Sequence, residues 1–227
     1  MKPYEVPVAN RFARWVMRPI FRLAFNLLSK VTIIGRENVP SQGGYLITIN
    51  HVSFFEPPFI LAFWPTPPEG AGAVEIWSRP GQAMLVRLYH GIQVHRGEFD
   101  RQALEAMINV LESGRPLLIA PEGGRTHALG MRRALPGVAY IVDKTGVPVV
   151  PVGIVGATDD FLDRGLHFKR PRVEMRIGQP FHLPTVLGKG AERRDALQAN
   201  ADQIMQAIAA LVPLEYHGVY QDGEVAE

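Results

Sequence analysis

Short apolar runs recur along this chain, at 31–35, 44–49, 74–78, 92–95, 116–120 and 147–154, and each stops at a turn signal. Between or after them lie stretches with helical periodicity, at 57–64, 82–90, 100–112, 135–144 and 193–212, and a late alternating run at 172–177 completes the pattern. Strand and helix in alternation constrain the fold to α/β layering. The expectation is one α/β domain, a mixed sheet flanked by helices. The Pro/Gly-rich run 65–72 is expected to be a loop and 74–78 a strand. Pro148 and Pro151 interrupt the 147–154 run, which suits an edge or a pocket wall better than a central strand.

At 227 residues the chain fits one domain with a substantial core, and no linker, repeat or low-complexity segment divides it. Cysteine is absent, which removes disulfides, thiolate nucleophiles and cysteine-based metal sites and fits a reducing compartment. The tail from Gln221 is polar and expected to be loose.

The overall charge of +2 hides an asymmetry, because residues 1–30 hold six basic residues against Glu5, so the remainder carries −3. At about 100° per residue, Arg11, Arg14, Arg18 and Arg22 form one stripe, with Val16, Ile20, Leu23, Ala24 and Leu27 opposite. Such a stripe with Phe12, Trp15, Phe21 and Phe25 suits a helix lying in the interface of an anionic membrane. The bland alternative is a surface helix packed on its own domain. Pro19 is expected to start a second helix, giving a helical pair over residues 1–30 ahead of a domain at 31–227. A bilayer span and a signal peptide both fit poorly, since arginines recur at every turn and no run of about 18 uncharged apolar residues exists.

The apolar run at 44–49 ends in Asn50, His51, Val52, Ser53, Phe54, Phe55, Glu56, Pro57 and Pro58. Open α/β sheets leave a crevice at the carboxyl ends of their strands, so His51 is placed where a base is useful. Glu56, five residues on across a tight turn, is within reach of one imidazole nitrogen, which fixes the tautomer and leaves the other to take a proton from a hydroxyl. Ser53 to Glu56 also fits a capping box, in which Glu56 merely closes a helix start. Pro57 and Pro58 argue for a helix that begins at Pro57 and leaves Glu56 before it.

A second strand-like run enters Pro121, Glu122, Gly123, Gly124, Arg125 and Thr126. Glycines let backbone amides approach a ligand, and an arginine there offers a planar fork for phosphate. An ordinary glycine turn with solvated charges has the same composition. Arg96, after the 92–95 run, is a second candidate phosphate contact at a separate strand end. The seven histidines contain no metal-binding helix pattern; His90 and His95 are taken as structural, and His127 as a loop histidine near any ligand.

Taken in order, the His51 to Glu56 stretch, the run Gly91 to Arg96, the turn Pro121 to Thr126 and the run Val147 to Val152 resemble the motifs of the glycerolipid acyltransferase family, which includes 1-acylglycerol-3-phosphate acyltransferases. The resemblance covers roughly residues 31–180, and the basic apolar N-terminus resembles the membrane-docking helices of some members. It implies that His51 is the general base for an acceptor hydroxyl and that Glu56 orients and supports the imidazolium. Arg96, Glu122, Gly123 and Arg125 would hold a phosphate-bearing lysophospholipid, and the run around Val147 to Val152 would shape the pocket. The acyl donor would be a thioester of coenzyme A or of acyl carrier protein, with no cofactor and no metal. The location implied is peripheral, on the cytoplasmic face of the cell membrane through residues 9–29. Glu56 stands where the family usually has Asp, Ala120 where an aromatic is usual, and Gly124 where Thr is usual. Gln93 and His95 are more polar than the usual middle motif.

Two rival readings remain at this level. A thioester or ester hydrolase would use the same base on water, although no Gly-x-Ser-x-Gly elbow is present. A noncatalytic peripheral protein would bind lipid phosphates and keep His51 as a structural residue. Nucleic acid is a poor partner, because the basic residues share their helix with large apolar side chains.

Overall fold

The computed structural model describes residues 2–97, 99–126 and 128–223. Among them, seven strands form one sheet in the order β1, β7, β6, β2, β5, β3, β4. The strands are β1 (Lys30–Ile34), β2 (Leu46–Ile49), β3 (Glu69–Ala73), β4 (Ile92–Val94), β5 (Leu117–Ile119), β6 (Val149–Val155) and β7 (Arg172–Ile177). The block from β6 to β4 is parallel, while β7 runs antiparallel to β6 and pairs in parallel with β1. The helices are α1 (Val8–Leu28), α2 (Glu56–Phe63), α3 (Gln82–Tyr89), α4 (Arg101–Glu112), α5 (Gly137–Thr145), α6 (Phe161–Leu166) and α7 (Gly190–Ala209).

Adjacent residues of the central strands point to opposite faces, and both faces are covered, which is why these strands are almost wholly apolar. Leu46, Leu117 and Val149 join one core with α4, α5 and α7. Ile47, Leu118 and Val150 join a second core with Phe25, Phe59 and Phe161 of α1, α2 and α6. Sheet and helices thus make three layers, as the alternation in sequence requires.

Several expectations are corrected. The sheet uses 69–73, Glu-Gly-Ala-Gly-Ala, as β3, whereas Val74–Ser78 is a 3₁₀ turn. Pairing with β5 and β4 makes a strand of a segment whose own side chains give almost no signal. β6 is not an edge or a pocket wall but lies inside the sheet between β2 and β7, with Val149, Val150 and Val152 wholly buried. It tolerates Pro151 because Val149 and the residue two on face β7, and there the β7 chain has broken off: Gly178 donates to the Pro151 carbonyl and the next bridge is Val149 to Phe181.

Pro19 does not split the N-terminal segment, and α1 is one helix of 21 residues. An interior proline costs a helix roughly 3 kcal/mol; hydrogen bonds on both sides of it offset that cost. Arg18 donates to the carbonyls of Leu61 and Trp64, and Arg22 donates to that of Ala62. These acceptors belong to the last turn of α2 and its cap, where carbonyls lack helical partners and favour cations. Arg14, Arg18 and Arg22 of the arginine stripe therefore face the protein, while Arg11 is exposed. Phe25 and Arg14 are buried, while Val8, Phe12, Trp15, Ile20, Leu23 and Leu27 face outward. Among the described residues no helix is long and apolar enough to cross a membrane.

Of the tail expected to be loose from Gln221, residues 224–227 lie outside the described residues. A 3₁₀ stretch runs through Gly218–Gly223, anchored by the buried Tyr220, whose hydroxyl donates to Asp202 and accepts from the Ala134 amide.

Candidate active site

Five parallel strands end along one edge, and the chain segments leaving β2, β4, β5 and β6 meet there. The end of β2 is fixed first. Asn50 is fully buried, donates to the Ile154 carbonyl at 2.9 Å and accepts from the Ile154 amide at 2.7 Å, clamping β2 to β6. Ser53 adds a hydrogen bond from its hydroxyl to the Ala157 carbonyl. The loop that carries His51 is thus held at both ends against β6.

His51 Nδ1 lies 2.8 Å from Glu56 Oε2. Glu56 is wholly buried, and its oxygens also accept from the Val52 and Ser53 amides at 3.0 Å. Of the two readings of Glu56 from sequence, the first is met: it faces the histidine, and its bonds to the Val52 and Ser53 amides tie down the loop before α2, whose cap is Phe55 with no side-chain bond, so Ser53 and Glu56 form no capping box. α2 begins at Glu56 rather than Pro57, with the prolines in its first turn, where a missing N–H is harmless. Burial raises the Glu56 pKa above the ordinary carboxylate value, with the hydrogen bond and charge of His51 and the two amides opposing it. With amide hydrogens aimed at both oxygens, Glu56 is an acceptor. The Nδ1 of His51 then carries the proton and Nε2 keeps its lone pair.

Glu122, at the start of the turn after β5, is buried and does not stand open to solvent. Its Oε1 accepts from the His51 amide at 2.8 Å and its Oε2 from the Arg132 amide at 2.9 Å, so one carboxylate ties two loops together. Burial pushes its pKa up to about 7, against the Arg132 and His51 amides. Thr126 reinforces the join by donating its amide to the His51 carbonyl at 3.1 Å.

The basic candidates converge around this turn. Gly123 has a φ of +68°, a left-handed conformation that favours glycine, and a Cβ there would displace only the tip of the exposed Leu135 side chain. Arg125 lies 3.6 Å from Asp159 in the loop after β6. Arg96 approaches the same turn from β4, its Nη1 3.3 Å from where a Cβ on Gly124 would stand. Burial lowers its proton affinity, Glu75 opposes that, and the charges of Arg132, Arg79 and Arg125 lower it further. The site thus joins His51, Glu56, Arg96, Glu122, Gly123 and Arg125 along one sheet edge.

Sequence reasoning did not single out Asn50 or Arg132. A buried polar residue directly after an apolar strand was a visible signal for Asn50, whereas Arg132 carried none. His95 pairs with Asp100 at 2.8 Å and His90 caps α3, as structural residues. His127 lies outside the described residues. Among the described residues no group of three His, Asp or Glu side chains is placed to hold a metal ion.

Comparison with known proteins places this edge in context. A family model described as Acyltransferase matches residues 30–155, which contain His51, Glu56, Arg96, Glu122 and Arg125. A 1-acyl-sn-glycerol-3-phosphate acyltransferase of Chlamydomonas reinhardtii is 27% identical over 192 residues, 83% of this chain and 55% of that protein. The chain therefore spans about half the length of this curated relative. The crystal structure of the 1-acyl-sn-glycerophosphate (LPA) acyltransferase PlsC from Thermotoga maritima is similar in fold, with a TM-score of 0.60 at 24% identity over 86% of this chain and 79% of that one.

Proposed function

Since the chain belongs to the acyltransferase family, we propose that it moves a fatty acyl group from a thioester to the hydroxyl of a phosphate-bearing lysophospholipid, with 1-acylglycerol 3-phosphate as the acceptor. The observation that carries this reading is the His51 to Glu56 hydrogen bond of 2.8 Å, beside an arginine-bearing turn at the same sheet edge.

In this reading His51 Nε2 takes the proton of the acceptor hydroxyl as its oxygen attacks the thioester carbonyl carbon. Glu56 supports the imidazolium that forms. The tetrahedral oxyanion collapses, the C–S bond breaks, and the thiolate leaves with the proton returned from His51. Thioesters of coenzyme A or acyl carrier protein both supply this chemistry, and no cofactor enters it. Arg96 and Arg125 bind the acceptor's phosphate, while Gly123 lets the turn approach it. Glu122 holds His51 and the turn in mutual register through backbone amides rather than touching the acceptor.

The outward face of α1 is the proposed membrane contact. Phe12 and Trp15 stack on each other with ring centroids 5.8 Å apart, yet are 64% and 73% exposed. Leu162, Leu166 and Phe168 are exposed next to α1's last turn, against which Gly165 packs. Such a surface suits a peripheral protein lying on a cytoplasmic bilayer face, where lipid acceptors reside. Because Arg14, Arg18 and Arg22 turn inward, apolar burial supplies most of the attraction.

The test is thioester consumption by the purified chain on lipid vesicles with and without lysophosphatidic acid, with analysis of the lipid product. The expected result is acceptor-dependent formation of phosphatidic acid. Acceptor-independent release of free fatty acid would replace the transferase with a hydrolase.

A further inference from the structure

We propose that Arg132 is a further guanidinium of the acceptor's phosphate site and that Gly124 is the residue that admits it. This rests on the reading of the site as one that takes a phosphate-bearing acceptor, and names which residues select that group.

Arg132 Nη2 donates to the Gly124 carbonyl at 2.6 Å. A Cβ on Gly124 would stand 3.0 Å from that Nη2 and 3.3 Å from Arg96 Nη1, so both guanidinium groups lean on one bare Cα. Among the described residues no carboxylate lies within ion-pair distance of either group. Two like charges held this close repel: burial is the main cause of the lowered proton affinity of Arg96 and the more distant Glu75 opposes it, but the charge of Arg132 adds to the lowering. A structure that holds them together is arranged for an anion. Arg133, the neighbour in sequence, is turned to Asp202 instead.

The register to the base is fixed as well. The Glu122 carboxylate that accepts from the Arg132 amide at 2.9 Å also accepts from the His51 amide at 2.8 Å. An anion against Arg132 is therefore set at a constant offset from His51. A phosphate monoester carries about −1.5 to −2 charge at pH 7 and three terminal oxygens, enough for forked contacts from several arginines. A phosphodiester headgroup has one charge and two such oxygens. Arg132 thus selects the monoester.

The test has one readout that needs no turnover. Inorganic phosphate should raise the melting temperature of the native chain, and this rise should largely vanish in Arg132→Gln and in Gly124→Ala, whose methyl pushes into both guanidiniums. In acyl transfer, Arg132→Gln should raise KM for 1-acylglycerol 3-phosphate about tenfold or more, as expected for a charged hydrogen-bond partner lost. kcat should stay within a few-fold, and the preference over a lysophosphodiester should shrink. Arg132→Lys should recover part of the phosphate effect. A folded Arg132→Gln that keeps the native phosphate shift and the native KM overturns the proposal. A native chain that responds to phosphate through Arg132 but transfers no acyl group leaves the anion site standing and overturns the transferase reading instead.

Discussion

His51 Nδ1 and Glu56 Oε2 stand 2.8 Å apart, and the same carboxyl group also receives the Val52 and Ser53 amides. The pair is thus local in sequence yet built into the fold. Glu56→Gln keeps the size but presents an amide to Nδ1 and to two backbone N–H groups. The account expects kcat to fall by about two orders of magnitude, the scale of lost base support, with KM for the acceptor little changed. Glu56→Asp should retain more activity than Glu56→Gln, since it keeps the charge at shorter reach. Steady-state kinetics of the two variants decide this.

Glu122 makes stability depend on pH. Its folded pKa is raised from an ordinary 4.5 to about 7, so the folded chain holds this proton more tightly than the unfolded one. Stability from this group is fully present below pH 4.5 and lost as pH rises toward 7, by up to about 3 kcal/mol. The stability of the native chain relative to Glu122→Gln, read from urea midpoints, should therefore fall between pH 5 and pH 8. A constant difference across that window would refute the assignment.

The far end of the sheet contains a buried ion cluster that ties α1 to β3. Arg14 reaches Glu69 through two bonds of 2.9 and 2.5 Å, and Arg115 and Tyr4 reach the same carboxylate. Burial opposes ionisation of Glu69, but the two guanidiniums prevail and hold its pKa below the usual range. Arg14→Met should cost about 3–5 kcal/mol, because Glu69 stays buried without its principal partner. The double variant Arg14→Met with Glu69→Met should recover much of that loss. Denaturant unfolding of the single and double variants measures both.

The outward face of α1 gives a separable expectation. Phe12→Asp with Trp15→Asp should leave the melting temperature within a few degrees, since both side chains are exposed, while binding to anionic vesicles falls about tenfold or more. Sedimentation with liposomes reads binding directly. Unchanged binding would remove α1 from the membrane contact.

Local pattern made the strands at the site legible. β2, β5 and β6 are buried on both faces and so appear as largely apolar runs, interrupted only by Thr48 in β2 and by Pro151 and Gly153 in β6, and His51 with Glu56 lies within one turn of a strand end. What failed was information held elsewhere in the chain. Glu69–Ala73 is a strand because β5 and β4 pair with it, and Val74–Ser78, more apolar, is not. The periodicity of α1 gave its helix and its two faces but not which face is inward. That was decided by the Leu61, Ala62 and Trp64 carbonyls, a receptor for arginines with no trace in the sequence of α1. Arg132 escaped notice for a similar reason: the loop that brings it back to Gly124 is closed by Glu122, ten residues earlier.

The proposed role of His51 is that of base for acyl transfer to a lysolipid hydroxyl. Single-turnover transfer from an acyl thioester to lysophosphatidic acid on vesicles, native against His51→Ala, addresses it most directly, with circular dichroism to confirm the fold of the variant. The account predicts that phosphatidic acid formation in the variant drops by at least about 100-fold, while phosphate still raises the melting temperature. Transfer by a folded His51→Ala at close to the native rate would contradict it.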